Sequence, residues 1–153
     1  MAGPSNGAFR IVVGVDGSAS SQAAMDWAVE EARLRNGHVV ALSAWHYPYV
    51  SDALGQVWEY EGFEEDARSI LEEELERVGD RGVGITGSLI QGTPASALVD
   101  ASQQADLVVV GSHGRGGFTG MLLGSVSTQT VHHARCPVLV VRGATPDTGG
   151  RGT

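Results

Sequence analysis

Apolar positions along this chain follow two alternating rhythms. Phe9 to Val15 (FRIVVGV), His38 to Trp45 (HVVALSAW), Val83 to Gln91, Asp106 to Gly111 (DLVVVG) and Pro137 to Arg142 (PVLVVR) are short apolar, β-branched runs bounded by Gly, Asp, Ser or Pro, and they read as strands. Helical spacing separates them. A stripe through Ala23, Ala24, Trp27, Ala28, Glu31 and Leu34 predicts a helix closing at Asn36-Gly37. Phe63, Ala67, Ile70, Leu71, Leu75 and Val78 predict a second, from about Tyr60 to Val78, with Gly79 at its end. Gly92-Thr93-Pro94 places a cap residue before proline at the first helical position, opening a third helix that runs to about Gln104. A fourth covers Ser125 to about Ala134, and Pro48 to Trp58 reads as a loop.

Strands and helices that alternate and end on a strand predict an α/β fold: an open five-stranded parallel sheet with helices on both faces, joined by right-handed crossovers. The unbroken run DLVVVG suits a strand covered on both sides. Residues 1–8 read as an N-terminal extension and 9–142 as one domain. Residues 143–153, rich in Gly, Thr, Pro and Asp, read as a disordered tail.

Composition narrows the function classes. With 153 residues and 42% hydrophobic content the chain is long enough for one core. It holds no run of roughly 18 apolar residues, and MAGPSNGAFR has no apolar stretch ahead of a cleavage site, so a cytoplasmic protein without a membrane span is expected. The lone Cys136, beside Pro137, fits a reducing compartment and a buried packing role. A net charge of −8 and a pI of 4.9 argue against nucleic-acid and anionic-membrane partners, which need a basic footprint. All ten basic residues are arginines, so the G-x-x-x-x-G-K-[S/T] phosphate loop is absent together with the hydrolysis that uses it. Gly14 is followed by Val15-Asp16-Gly17, which breaks the dinucleotide fingerprint. Neither a G-x-S-x-G elbow nor a Cys/His cluster at metal-ligand spacing occurs.

Candidate chemistry lies in two loops, because ligands of open α/β sheets bind outside the carboxyl ends of the strands where strand order reverses. After the fourth strand, Gly111 to Ser125 holds six glycines in fifteen residues. Glycines let backbone amides approach an anion closely, and Gly124-Ser125 opens a helix whose first amides lack internal partners. With Ser125 and Ser127 as hydroxyl donors, this loop reads as a phosphate site. After the first strand, Asp16 in Asp16-Gly17-Ser18 reads as a turn or cap residue, a ligand contact, or both. His113 reads equally as a solvated loop residue or a phosphate contact. His132 and His133 suit a helix C-terminus, Glu72, Glu73, Glu74 and Glu76 a solvated helix face, and Trp27, Trp45 and Trp58 core or rim packing.

The loop spells G-x2-G-x9-G-S without a gap: Gly111, Gly114, nine residues from Arg115 to Leu123, Gly124, Ser125. Together with V-D-G-S (Val15 to Ser18) and C-P-V-L-V-V (Cys136 to Val141), it resembles the ATP-binding branch of the universal stress protein family over residues 9–142. The resemblance implies a Rossmann-like sheet of order 3-2-1-4-5. It implies Gly14, Val15 and Asp16 beside adenine and ribose, Ala44 offering backbone groups to adenine, and Gly111, Gly114, Gly124, Ser125 and Val126 around ribose and phosphates. Ser112, His113, Arg115, Gly116 and Ser127 are added from their place in the loop. The implied ligand is ATP, with Mg2+ carried on its phosphates, or alternatively AMP or cyclic AMP. The implied role is a nucleotide-dependent stress-response binding module, with slow ATP hydrolysis as the other reading. A homodimer through the last strand, Pro137 to Arg142, is the implied assembly.

Overall fold

A computed structural model describes residues 7–47, 62–114 and 122–143. Its elements run β1 (Arg10–Gly14), α1 (Ala19–Arg35), β2 (His38–Trp45), α2 (Gly62–Val78), β3 (Gly84–Gln91), α3 (Pro94–Ser102), β4 (Leu107–Gly111), α4 (Ser125–His133) and β5 (Val138–Val141). All strands are parallel, in the order β3-β2-β1-β4-β5. This is the α/β sheet that the alternation predicts. The loop expected over Pro48 to Trp58, Tyr60 at the start of the second helix, and the tail beyond Gly143 lie outside the described residues.

β1 is the centre of the sheet, with Ile11 opposite Val39 on one side and Leu107 on the other. Its side chains alternate between two cores. Ile11, Val13 and Val15 face α1 and α2 with Val39, Ala41 and Val109, while Val12 joins Val40, Leu42, Leu98, Val108 and Val110 on the opposite face. Covering on both sides explains why these strands read as continuous apolar runs.

Helix starts follow the cap chemistry of the sequence. Ser18 caps α1 by accepting from the amide of Ser21, and Thr93 caps α3 by accepting from Ser96 ahead of Pro94. α1 ends at Asn36 in the left-handed region, φ 52°, where its amide bonds to the carbonyl of Ala32.

The buried face of α1 differs from the expected stripe. Ala24, Met25, Ala28, Val29 and Ala32 are buried, whereas Trp27 is 53% and Leu34 63% exposed. Trp27 is therefore neither core nor rim. The small residues win because they let the helix backbone lie close to the sheet, and a tryptophan on that face would hold it off. Glu74 also departs from the expected solvated face. It is buried and accepts from Arg77 Nε (2.5 Å) and Nη2 (3.1 Å), and Arg77 reaches on to Asp26 of α1 at 3.1 Å. These contacts hold the Arg77 pKa above its ordinary value, the Glu74 hydrogen bond first among the causes, and tie α2 to α1. Cys136 is half-buried against the second core, and desolvation raises its thiol pKa. Among the described residues no helix is long and apolar enough to cross a membrane.

Candidate functional site

β1 pairs with β2 on one side and β4 on the other, so the chain leaves the sheet in opposite directions from its centre. At the carboxyl ends of these strands the structure opens a cleft of about 680 Å3. The loop after β1 is a lattice of short polar side chains. Asp16 Oδ1 accepts from the amide of Ser18 at 2.9 Å, and the Asp16 amide donates to Ser21 Oγ at 3.2 Å. Asp16 thus forms the turn and Ser18 the cap. The other Asp16 carboxylate oxygen faces Gly114, where a Cβ would stand 2.7 Å from it.

The loop after β4 is pinned to this lattice. The His113 carbonyl accepts from Ser20 Oγ at 2.5 Å and from Ser18 Oγ at 3.4 Å. Gly111 makes the approach possible, because a Cβ there would lie 2.7 Å from the Ser20 carbonyl carbon. Ser112 is a brace. Its amide donates to Val141 (2.8 Å), its carbonyl accepts from the Gly124 amide (2.6 Å) and from Ser127 Oγ (3.1 Å), and its hydroxyl sits 3.2 Å from His113 Nδ1. Ser127 Oγ is also 3.0 Å from the Gly124 carbonyl, so its proton is engaged inside the loop rather than offered to a ligand.

Gly124 caps α4 without a side chain, and the first intrahelical bond is from the Thr128 amide to the Gly124 carbonyl. The amides of Ser125, Val126 and Ser127 therefore begin the helix without intrahelical acceptors, a partial positive charge at the end of the Gly111–Gly114 segment. Asp16 and Asp66 line the cleft while no arginine among the described residues does. Among the described residues, the groups that would meet an anion here are amide dipoles and neutral donors.

The cleft has two sides. Toward α3 and α4 its wall is apolar: Leu42, Ala44, Pro94, Leu98, Val110 and Val126, with Gly14, the last residue of β1, against Leu98. Ala44 supplies the polar edge. Strand residues two apart turn their backbone groups to the same side, and the Val15 amide bond to the Leu42 carbonyl, at 2.8 Å, is the last rung between β1 and β2. The Ala44 N–H and C=O face β1's side past that rung, one donor and one acceptor side by side. Toward α2 the wall is Val15, Ser43, Phe63, Ala67 and Ile70, with Asp66 at the rim.

Of the expected site residues, Gly14, Val15, Asp16, Ala44, Gly111, His113, Gly114, Val126 and Ser127 line the cleft. Ser112, Gly124 and Ser125 stand behind or beside it, Ser125 exposed at the first turn of α4. Arg115 and Gly116 lie outside the described residues. Sequence reasoning missed Ser20 and Ser21 as anchors, and Ser43, Leu98, Phe63 and Asp66 as walls. For Ser43 a signal existed, since it breaks the apolar run of β2 at its carboxyl end.

A family model described as the universal stress protein family matches residues 8–142. A universal stress protein of Mycolicibacterium smegmatis is 43% identical over 136 residues, covering 86% of this chain and 45% of that relative. The chain thus spans less than half the length of the curated relative. Among solved structures, a universal stress protein in complex with cAMP is 31% identical with a TM-score of 0.67, covering 89% of this chain and 98% of that one. An Arabidopsis thaliana family protein with AMP bound shares the fold, with a TM-score of 0.63 at 21% identity over 94% of this chain and 97% of that one. The gapless glycine fingerprint, its place between β4 and α4, and a match running from β1 through β5 converge: this chain belongs to the universal stress protein family.

Proposed function

We propose that the chain is a nucleotide-binding module of this family and that its ligand is an adenine nucleotide, ATP first. One observation carries the reading. The cleft joins a flat apolar wall ending in the paired donor and acceptor of Ala44 to a glycine segment and helix N-terminus suited to phosphate. Adenine presents the complementary acceptor and donor on adjacent ring positions. Gly14, Val15 and Asp16 then flank base and ribose, and Gly111, Gly114, Gly124, Ser125 and Val126 surround ribose and phosphates, with Arg115 and Gly116 in the same loop.

Among the described residues no group of three acidic, His or Cys side chains stands ready for a metal. Mg2+ would be carried on the nucleotide phosphates, with Asp16 lining the cleft opposite Gly114. AMP or cyclic AMP is the second reading, favoured by the cAMP complex of the 31% identical relative. Regulated binding ranks above slow hydrolysis, because the phosphate loop and lysine that nucleotide hydrolases of the G-x-x-x-x-G-K-[S/T] type use are absent from the sequence. The acidic, lysine-free surface and the lone cysteine support a cytoplasmic setting without nucleic-acid or membrane partners. The apolar edge strand β5, within Pro137 to Arg142, has no outer strand partner among the described residues, which supports pairing with a second copy through that edge. Light scattering reads that assembly directly.

Calorimetric titration with ATP, AMP, cyclic AMP and GTP, with and without Mg2+, tests the reading. Saturable, adenine-selective binding is expected, and absence of binding by all four overturns it.

A further inference from the structure

The amino end of β1, opposite the cleft, carries a cation that the fold leaves unmatched. Arg33, Arg35, Arg68, Arg77 and Arg81 each meet a carboxylate at 3.9 Å or less. Arg10 meets none among the described residues, and its Nε is the one buried side-chain nitrogen or oxygen there without a hydrogen-bond partner. Buried donors are ordinarily paired, so this one asks for an acceptor. His38 is the register neighbour of Arg10, and both alternate with core residues Ile11 and Val39, so they share a face with Val12 and Val40. His38 Nε2 lies 3.0 Å from Thr86 Oγ1 on β3, and Gly84 makes room for the ring, since a Cβ there would stand 2.7 Å from Nδ1. Either tautomer leaves one proton of this pair to give: the Thr86 hydroxyl proton when Nε2 donates, the Nδ1 proton when it accepts. Burial, and after it the Arg10 charge, lower the His38 pKa, so the imidazole is neutral at pH 7. Thr86 and Gly84 are exposed, which leaves the row open to solvent.

We infer that Arg10, His38 and Thr86 form a second binding site, for a singly charged carboxylate, at the amino edge of the sheet. It is separate from the cleft, because Gly14 lies four residues further along β1, about 13 Å at roughly 3.3 Å per residue. The planar guanidinium matches a carboxylate, with Nε and one Nη donating side by side, and this gives Nε the acceptor it lacks. Arg10 as a whole is only half-buried, so a turn of its flexible side chain presents Nε to the ligand. The spare proton of the His38–Thr86 pair goes to the same group. A dianion fits worse. Asp106, whose Oδ2 accepts from the Arg10 amide at 2.8 Å, already offsets the Arg10 charge, so a second negative charge is repelled. The carboxylate belongs to a small free acid or to a peptide chain end lying along the outer strand β3.

The test needs no nucleotide, so it stands or falls separately from the adenine reading. Acetate, N-acetylglycylglycine and sulfate are titrated at constant ionic strength into the 15N-labelled full chain, and the Arg10 Nε and His38 ring resonances are followed. Acetate is expected to give saturable shifts at both, and sulfate to bind more weakly. Tighter binding of N-acetylglycylglycine, with shifts reaching Ser88 and Ile90, assigns a peptide end, whereas binding equal to acetate and confined to Arg10, His38 and Thr86 assigns a small free acid. Arg10→Met is expected to weaken acetate about tenfold or more, the value of a charged hydrogen bond, with no fall in melting temperature because an unpaired buried donor is removed. Arg10→Lys keeps the charge without the fork and is expected to weaken acetate about threefold. The inference is overturned by acetate shifts that do not saturate, by sulfate binding as well as acetate, or by parent-like affinity in both variants. A melting temperature lowered by Arg10→Met overturns it as well.

Discussion

Gly111 and Gly114 stand three residues apart in one motif and do different work. Gly111 is packed: α1 crosses so close that the Ser20 backbone occupies the space of a side chain, with carbonyl carbon and oxygen 2.7 and 2.9 Å from the Cβ position. Gly114 is open, and the nearest atom to its Cβ position is the end of the Asp16 side chain, which lines the cleft. The first glycine fixes how closely helix and sheet approach, while the second fixes what the cleft contains. A fingerprint of identical letters therefore mixes a residue packed into the fold with a residue that opens onto the cleft.

Substitution separates the two. Gly111→Ala forces backbone apart and is expected to cost about 1–3 kcal/mol or more of folding stability, read as a melting temperature lower by roughly 2–4 °C per kcal/mol. A parent-like melting temperature would dissolve the contrast. Gly114→Ala is expected to leave melting within a degree or two but to push the Asp16 carboxylate aside, weakening ATP about tenfold in calorimetry, or roughly 1.4 kcal/mol. Ser125→Ala removes a hydroxyl at the exposed first turn of α4 and is expected to weaken ATP by about 0.5–1.5 kcal/mol with unchanged melting. Gly124→Ala is expected to do least. Its φ of −73° is ordinary, and its nearest Cβ contacts, to His113 and Ser112 backbone, are at 3.4 Å, so stability should change by only about 0.5 kcal/mol. A large loss of binding there would place a phosphate against the Gly124 backbone itself.

Legibility in the sequence followed the range of the forces involved. Strand runs, the Thr93-Pro94 start and the Asn36 stop are local, and the structure has them within a few residues of their expected places. The phase of α1 was misread because Trp27 and Leu34 dominate a count of apolar residues, whereas the sheet selects the small Ala24, Ala28 and Ala32. Glu74 looked solvated because its neutralising partner reaches a second helix, where Asp26 lies 48 positions away in sequence. The glycine loop was recognisable as a motif, but the division of labour within it depends on Ser20, more than ninety residues earlier. The α2 wall of the cleft is equally non-local, since nothing near Phe63 or Asp66 in sequence marks them as neighbours of Val15.

The serine lattice between the two loops has a kinetic consequence. Because Ser18 and Ser20 both donate to the His113 carbonyl while Ser21 holds the Asp16 amide, the loop after β4 is fastened to the same short segment that orders the turn after β1. The Asp16 and His113 amides should exchange with deuterated solvent as one cooperative unit, at a common rate that falls together when the cleft is filled.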